Sequence, residues 1–157
     1  MGAVRIRKAK KEDIPAIAVL SYSLFKKFEE FNPKDKIVKG YFGSKKHHNE
    51  LLKEMNRRNG RYFVAEIDKK VVGFISVSIY DNWSMFKTRK KGRFEVIVVH
   101  PSQQKKGIGK LLMDHAYKWF RQNKVKQFSV TTHAADAGAN AFWQHRGFKQ
   151  SSVGYEK

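Results

Sequence analysis

The sequence predicts a mixed α/β domain: a mostly antiparallel, twisted sheet with helices packed on both faces. Three observations carry that expectation. Short β-branched and aromatic runs alternate with long amphipathic ones, in the order β-α-α-β-β-β-α-β-α-β. Two β-rich runs are joined by a tight turn, as in an antiparallel hairpin. A third β-rich run instead feeds a glycine stretch and then a helix, the connection that a parallel crossover needs.

Element by element, "VRIRKA" alternates as a short strand. Ile14, Ile17, Ala18, Ser21, Leu24, Phe25 and Phe28 then recur at helical spacing, with Asp13 placed to cap the start. "EEFNPKDKIVKGYFGSKKHHN" carries Pro33, Gly40 and Gly43 among aromatics and predicts an irregular connection, long enough to be functional, before a second helix over roughly Asn49 to Asn59. "RYFVAEI" and "VVGFISVSIY", joined by "DKK", predict the hairpin. "DNWSMFKTRKKG" interrupts the pattern and "RFEVIVVH" resumes it. Ile108, Leu111, Leu112, His115, Ala116, Trp119 and Phe120 mark one face of a long helix. "KQFSVTTH" predicts a strand, "DAGANAFWQHR" a short helix ended by Gly147, and "FKQSSVGY" a last strand.

The 157 residues fit a single domain spanning 1–157, with no internal repeat. Cysteine is absent, which excludes disulfides, thiolate metal sites and a cysteine nucleophile. No stretch resembles a signal peptide or a membrane span, so a cytoplasmic protein with no membrane partner is expected. Lys and Arg number 33 against 14 Asp and Glu, a net charge of +19. The excess is spread along the chain, fifteen to seven up to Gly60 and eighteen to seven from Arg61. Such a balance attracts polyanions, and it also describes a Lys-rich, solvated surface.

"VVHPSQQKKGIGKLL" concentrates the chemistry. Where a strand runs through a glycine-rich turn into a helix, the first-turn N–H groups lack partners and the helix dipole adds positive charge, making an anion site. Gly107 and Gly109 let backbone approach a pyrophosphate, and Lys105, Lys106 and Lys110 add attraction; the alternative is that the glycines only permit a tight turn. A Walker loop is excluded by Gln104 and Leu111, and a dinucleotide fingerprint by Leu112.

"QKKGIG", Gln104 to Gly109, matches Q-x-x-G-x-G and resembles the acetyl-CoA signature of the GNAT superfamily of N-acetyltransferases. The likeness extends through "IVVHPSQQKKGIGKLLMDHAYKW" and "ADAGANAFWQHRGF" to nearly the whole chain. It implies a GNAT fold with strands 4 and 5 splayed apart, and acetyl-CoA as co-substrate without a metal. By resemblance, the backbone of Ile97, Val98 and Val99 pairs with the pantetheine arm. Gln104, Lys105, Lys106, Gly107, Ile108, Gly109 and Lys110 hold the pyrophosphate, and a main-chain N–H near Val99 polarises the thioester. Asp136, Ala139 and Trp143 line the far side of the arm. The family's usual tyrosine is replaced by Trp143, whose indole supplies no proton; Tyr117 or another tyrosine, His145, His133 and water are the remaining sources.

Glu95 is the candidate general base. Strict alternation along "RFEVIVV" places it on one face with Ile97 and Val99, and a carboxylate on an apolar strand is either a base or the partner of an arginine. His47 and His48 fall in a polar loop, and no histidine spacing suggests a metal. Direct transfer to a primary amine, on a protein terminus or lysine or on a small molecule, is the expected reaction; a longer acyl donor and a non-catalytic acyl-CoA- or nucleic-acid-binding module are the alternatives. For the acceptor, Phe28, Phe31, Tyr41, Phe42, Trp83 and Phe86 offer aromatic walls or else core and homodimer contacts, with Glu29 or Glu30 to receive a cation. "KTRKKGR" packs five cations into seven residues, suiting acidic acceptors or association with a ribosome or nucleic acid.

Overall fold

The computed structural model describes residues 2–157. One sheet of five strands runs in the order β1-β2-β3-β4-β5, with β1 Arg5–Lys8, β2 Gly60–Ile67, β3 Lys70–Asp81, β4 Lys90–Val99 and β5 Phe128–Val130. Neighbours pair antiparallel up to β4, and β4 with β5 is parallel. Helices α1 Ile14–Phe31 and α2 Lys45–Met55 cover one face, where Ile14, Ile17, Leu20, Leu51 and Met55 pack on Val64, Phe74 and Val98. Helix α3 Ile108–Gln122 and helix α4 Ala137–Gln144 cover the other, where Leu112, Ala116, Phe120 and Trp143 pack on Ala65, Ile75, Val77 and Phe94. The expected mixed sheet with two covered faces is therefore present.

Four expectations need correction. Asp13 does not cap α1 with its side chain: the carboxylate accepts the Lys10 N–H (2.8 Å) and clasps the Arg7 guanidinium at 2.7 and 2.9 Å. Helix α2 starts at Lys45, four residues before the expected Asn49, because Ser44 Oγ accepts the His47 N–H (3.1 Å) and caps it. His47 and His48 thus belong to the first turn of α2, and His47 is buried. Two residues rather than three close the β2–β3 hairpin, since Asp68 and Lys69 both take positive φ (47° and 63°), matching the strand twist. "FKQSSVGY" forms no strand; Gly147 (φ 86°) ends the helical turn and the chain runs on without regular structure.

Two features of β4 set up the site. First, β5 pairs with it only at Gly92, Arg93 and Phe94, so Glu95 to Val99 have no strand partner on that side. Second, Val77 pairs with Phe94 and Ser76 with Val96, leaving Glu95 as an extra residue, a β-bulge.

Candidate active site

The bulge decides where each β4 side chain points. Phe94, Ile97 and Val99 pack with the α3 cluster, whereas Val96 and Val98 pack with the α1 and α2 cluster. Glu95 shares a pocket with Tyr62, Ser76, Ser78 and the α2 residues Glu54 and Arg57. Glu95 therefore lies on the face of Val96 and Val98, not on that of Ile97 and Val99. The extra residue puts two successive side chains on one side, which strict alternation does not allow for.

The pocket holds about 190 Å³. Ser78 Oγ–H donates to Glu95 Oε1 at 2.5 Å, fixing the carboxylate while its second oxygen keeps its lone pairs. Tyr62 and Ser76 line the pocket beside it, and burial raises the phenol pKa of Tyr62. Arg57 binds Glu54 (2.8 Å) rather than Glu95. Ser78, Ser76, Tyr62 and Glu54 escaped the sequence reading; polar Ser76 and Ser78 at alternate positions of an otherwise apolar strand were the available signal.

At its other end β4 presents main chain. The His100 N–H bonds the Val72 carbonyl of β3 (2.8 Å). By alternation Val98 also turns its N–H and C=O toward β3, and Ile97 and Val99 turn theirs to the unpaired side. The Val99 carbonyl there accepts Gln104 Nε2 (3.0 Å). Gln104 thus commits its side chain to organising the strand-to-helix turn.

That turn, residues 104–109, contains two left-handed residues, Lys105 (φ 61°) and Gly107 (φ 79°). Gly107 is the N-cap of α3, and the space its Cβ would occupy is open. At Gly109, in the first turn, an added Cβ would sit 3.8 Å from Ile97 Cδ1 and the Phe142 ring, which is ordinary contact. Nothing within the chain therefore demands glycine at 109. Ile108 is fully buried and anchors the helix, so only its backbone serves the loop. Lys106 Nζ lies 3.1 Å from Gln103 Oε1 and Lys110 pairs with Asp114 (2.8 Å).

Across the gap, Asp136 is the buried N-cap of α4, accepting the Ala139 N–H (3.0 Å), and Lys27 reaches it from α1 at 3.5 Å. Trp143 is buried against Phe94, Phe142 and Phe148, so its indole belongs to the core. His133 stacks on Phe31 of α1, and its Nδ1 accepts the Ala135 N–H (3.1 Å), which leaves Nε2 as the donor of the neutral ring. Tyr117 packs on Phe94 and Phe128, with its pKa raised by burial, and His145 is exposed at the end of α4.

The proposed acceptor residues do not come together. A cleft of about 640 Å³ between α1 and residues 37–43 is lined by Tyr22, Tyr41, Phe42 and Glu29, without Glu30, Trp83 or Phe86. Glu29 is already engaged by Lys26 (2.8 Å) and the Ile37 N–H (2.8 Å), which together hold its pKa below the usual range. Glu30 is exposed, and Trp83 and Phe86 stand on the β3–β4 loop. Among the described residues no cluster of His, Asp and Glu could hold a metal, and no helix is long and apolar enough to cross a membrane.

Comparison with known proteins agrees with this architecture. Residues 22–148 match the model of the acetyltransferase (GNAT) family. An uncharacterised N-acetyltransferase of Archaeoglobus fulgidus is 30% identical over 131 residues, 81% of this chain and 82% of that protein. A second, from Methanocaldococcus jannaschii, is 24% identical over 150 residues, and there the match covers 94% of this chain but only 62% of the relative. Among solved structures, an aminoglycoside N-acetyltransferase in complex with CoA shares the fold at a TM-score of 0.77 and 19% identity, covering all of this chain and 96% of that one. With most of its length matched by the family model, from α1 through the end of α4, the chain belongs to the GNAT family of acetyltransferases.

Proposed function

We propose that the protein transfers the acetyl group of acetyl-CoA directly to a primary amine, on a protein or a small molecule. The observation that carries this reading is the junction of β4 and α3: an unpaired strand edge at Ile97 and Val99 runs into a loop whose Gly107 opens a helix N-terminus to solvent. The residues fit the co-substrate. First-turn N–H groups of α3 and the space beside Gly107 suit a pyrophosphate, with Lys105, Lys106 and Lys110 around it, and the free edge suits an extended amide-bearing arm. Asp136, Ala139 and Trp143 shape the opposite wall, Asp136 and Trp143 from behind it. When bound, acetyl-CoA supplies an activated acetyl group and departs as a thiol.

Glu95 is the base in this reading. Ser78 orients it, and its free oxygen takes a proton from an amine entering beside Tyr62 and Ser76, because an alkylammonium with a pKa near ~10.4 is not nucleophilic at neutral pH. A main-chain N–H of Val99 or Ile97, turned to the open side, polarises the thioester carbonyl. The neutral nitrogen would attack the carbonyl carbon as the C–S bond breaks, and its second proton would pass, through water or by way of His133 Nε2, to the departing thiolate. Trp143 has no part in that proton transfer.

Calorimetric titration with acetyl-CoA, with ATP as a polyphosphate control, tests the coenzyme step. Saturable binding much tighter than ATP, followed by amine-dependent thiol release, supports the reading. Equal binding of both ligands, erased by salt, refutes it and leaves a charge-driven binding module.

A further inference from the structure

A second surface, about 30 Å along β4 from the glycine loop, has a different character. Residues 82–89 link β3 to β4 as an ordered loop. Asn82 N–H donates to the Arg89 carbonyl (2.7 Å), Asn82 Nδ2 to the Thr88 carbonyl (3.0 Å), and Phe86 N–H to the Trp83 carbonyl (3.0 Å). On this frame Trp83, Met85 and Phe86 are 74%, 76% and 49% exposed. The loop is tied to the segment after α3, since Gln127 Nε2 donates to Thr88 Oγ1 (3.1 Å) and Gly92 N–H to the Gln127 carbonyl (2.8 Å).

That tie brings Lys87, Arg89, Lys90 and Lys91 toward Lys124 and Lys126. Among the described residues none of these six cations forms an ion pair with a carboxylate, and Asp81 stands opposite Lys90 in the ladder. The free protein is penalised twice here, by mutual repulsion of the cations and by apolar rings held in water. One ligand class relieves both penalties, a polyanion that also carries flat apolar rings.

We propose that this end of the molecule binds single-stranded nucleic acid. The Lys and Arg side chains take phosphates, and Trp83 and Phe86 stack on unpaired bases. A duplex hides its base faces, so the rings favour a single strand. An anionic bilayer fits less well: the net charge of +19 is spread along the whole chain, and a flexible strand can follow dispersed charge where a flat surface meets one side only. This inference does not rest on acyl transfer.

The test is titration of a 20-nucleotide, fluorescein-labelled oligo(U), read by anisotropy over a range of salt and, in proteins that keep Trp83, also by intrinsic tryptophan emission. Trp119 and Trp143 are each 7% exposed, so quenching reports on Trp83. Expected are saturable quenching and weaker binding of a duplex of equal length. Trp83→Ala should weaken oligo(U) about tenfold with little change in salt dependence, as removal of one stacking platform does. Combining Lys87→Gln, Arg89→Gln, Lys90→Gln and Lys91→Gln should flatten the slope of log K against log salt by about 2.8, at about 0.7 for each phosphate no longer neutralised. An unchanged far-UV circular dichroism spectrum and melting temperature in the same variants show that they are folded. Wild-type oligo(U) affinity and salt slope in both variants, equal affinity for the duplex, or stronger retention by phosphatidylserine vesicles than by oligo(U) would each overturn the proposal.

Discussion

Gly107 and Gly109, two residues apart, should answer differently to the same substitution. At Gly107 the backbone sits at φ 79°, where an L side chain costs about 1–2 kcal/mol. Alanine also narrows the unfolded ensemble, which returns about 0.4–1 kcal/mol, so Gly107→Ala should destabilise the ligand-free protein by about 1 kcal/mol. Gly109 is an ordinary first-turn helical residue with room for a methyl group at 3.8 Å from its neighbours. Gly109→Ala should therefore stabilise by about 0.5–1 kcal/mol through helix propensity. For a chain of this length the melting temperatures should move in opposite directions by roughly 2–4 °C. Acetyl-CoA binding should nonetheless weaken in both, by about tenfold or more at 109, the worth of one charge-assisted hydrogen bond to the pyrophosphate. Thermal unfolding without ligand and calorimetry with acetyl-CoA measure the two effects separately. A lower melting temperature for Gly109→Ala would refute the local geometry, and wild-type affinity would refute the close approach that glycine at 109 is argued to serve.

Three further outcomes are expected. Glu95→Gln should lower turnover about 100-fold or more with acetyl-CoA affinity nearly unchanged, and Ser78→Ala should alter the pH profile of turnover more than the KM; steady-state kinetics across pH measure both. Arg7→Met leaves Asp13 almost fully buried without its guanidinium and Glu66 without its partner, so about 3 kcal/mol of stability should go, and Arg7→Met with Asp13→Leu should recover much of it in thermal scans. His47 is buried against the Tyr41 and Phe42 rings, and burial lowers its imidazole pKa against the opposing pull of Glu50. The unfolded chain then takes up the proton first as pH falls, so stability should drop below about pH 6.5, and His47→Phe should flatten the curve between pH 7 and 5 in denaturant titrations.

The order of strands and helices was legible because apolar periodicity survives in one dimension: Ile14, Ile17 and Ala18, or Leu112, Ala116 and Phe120, bury as their spacing requires. The start of α2 was not, because "SKKHHNE" has no apolar period and its boundary is a single hydroxyl, Ser44. The last segment reads as extended yet finds no strand to pair with, and pairing is a property of the partner. The same reason hid the bulge. Glu95 becomes an extra residue only when β3 supplies Ser76 and Val77 as consecutive partners for Val96 and Phe94, and that register is not written in "RFEVIVV". The glycine loop could be read locally because its chemistry is local, a helix N-terminus and a left-handed backbone. The acceptor residues could not, since Trp83 and Tyr41 share an aromatic character but not a location.

The three-residue pairing of β4 with β5 gives the sheet an edge in its interior. Exposed strand edges invite other chains to add on, and proteins normally shorten, charge or cover them. Here the edge begins as a notch at pairing distance beside Phe94 and widens toward Val99, walled by α3, α4 and the loop that Lys27 and Phe31 hold against α1. A β-strand of another protein, with side chains on both faces, would have to be threaded into that notch from its wide end. A slender unbranched chain with amides and few substituents can lie along it. On the proposed function such an edge would discriminate ligands by cross-section, with the Gln104 amide already satisfying the Val99 carbonyl at its wide end.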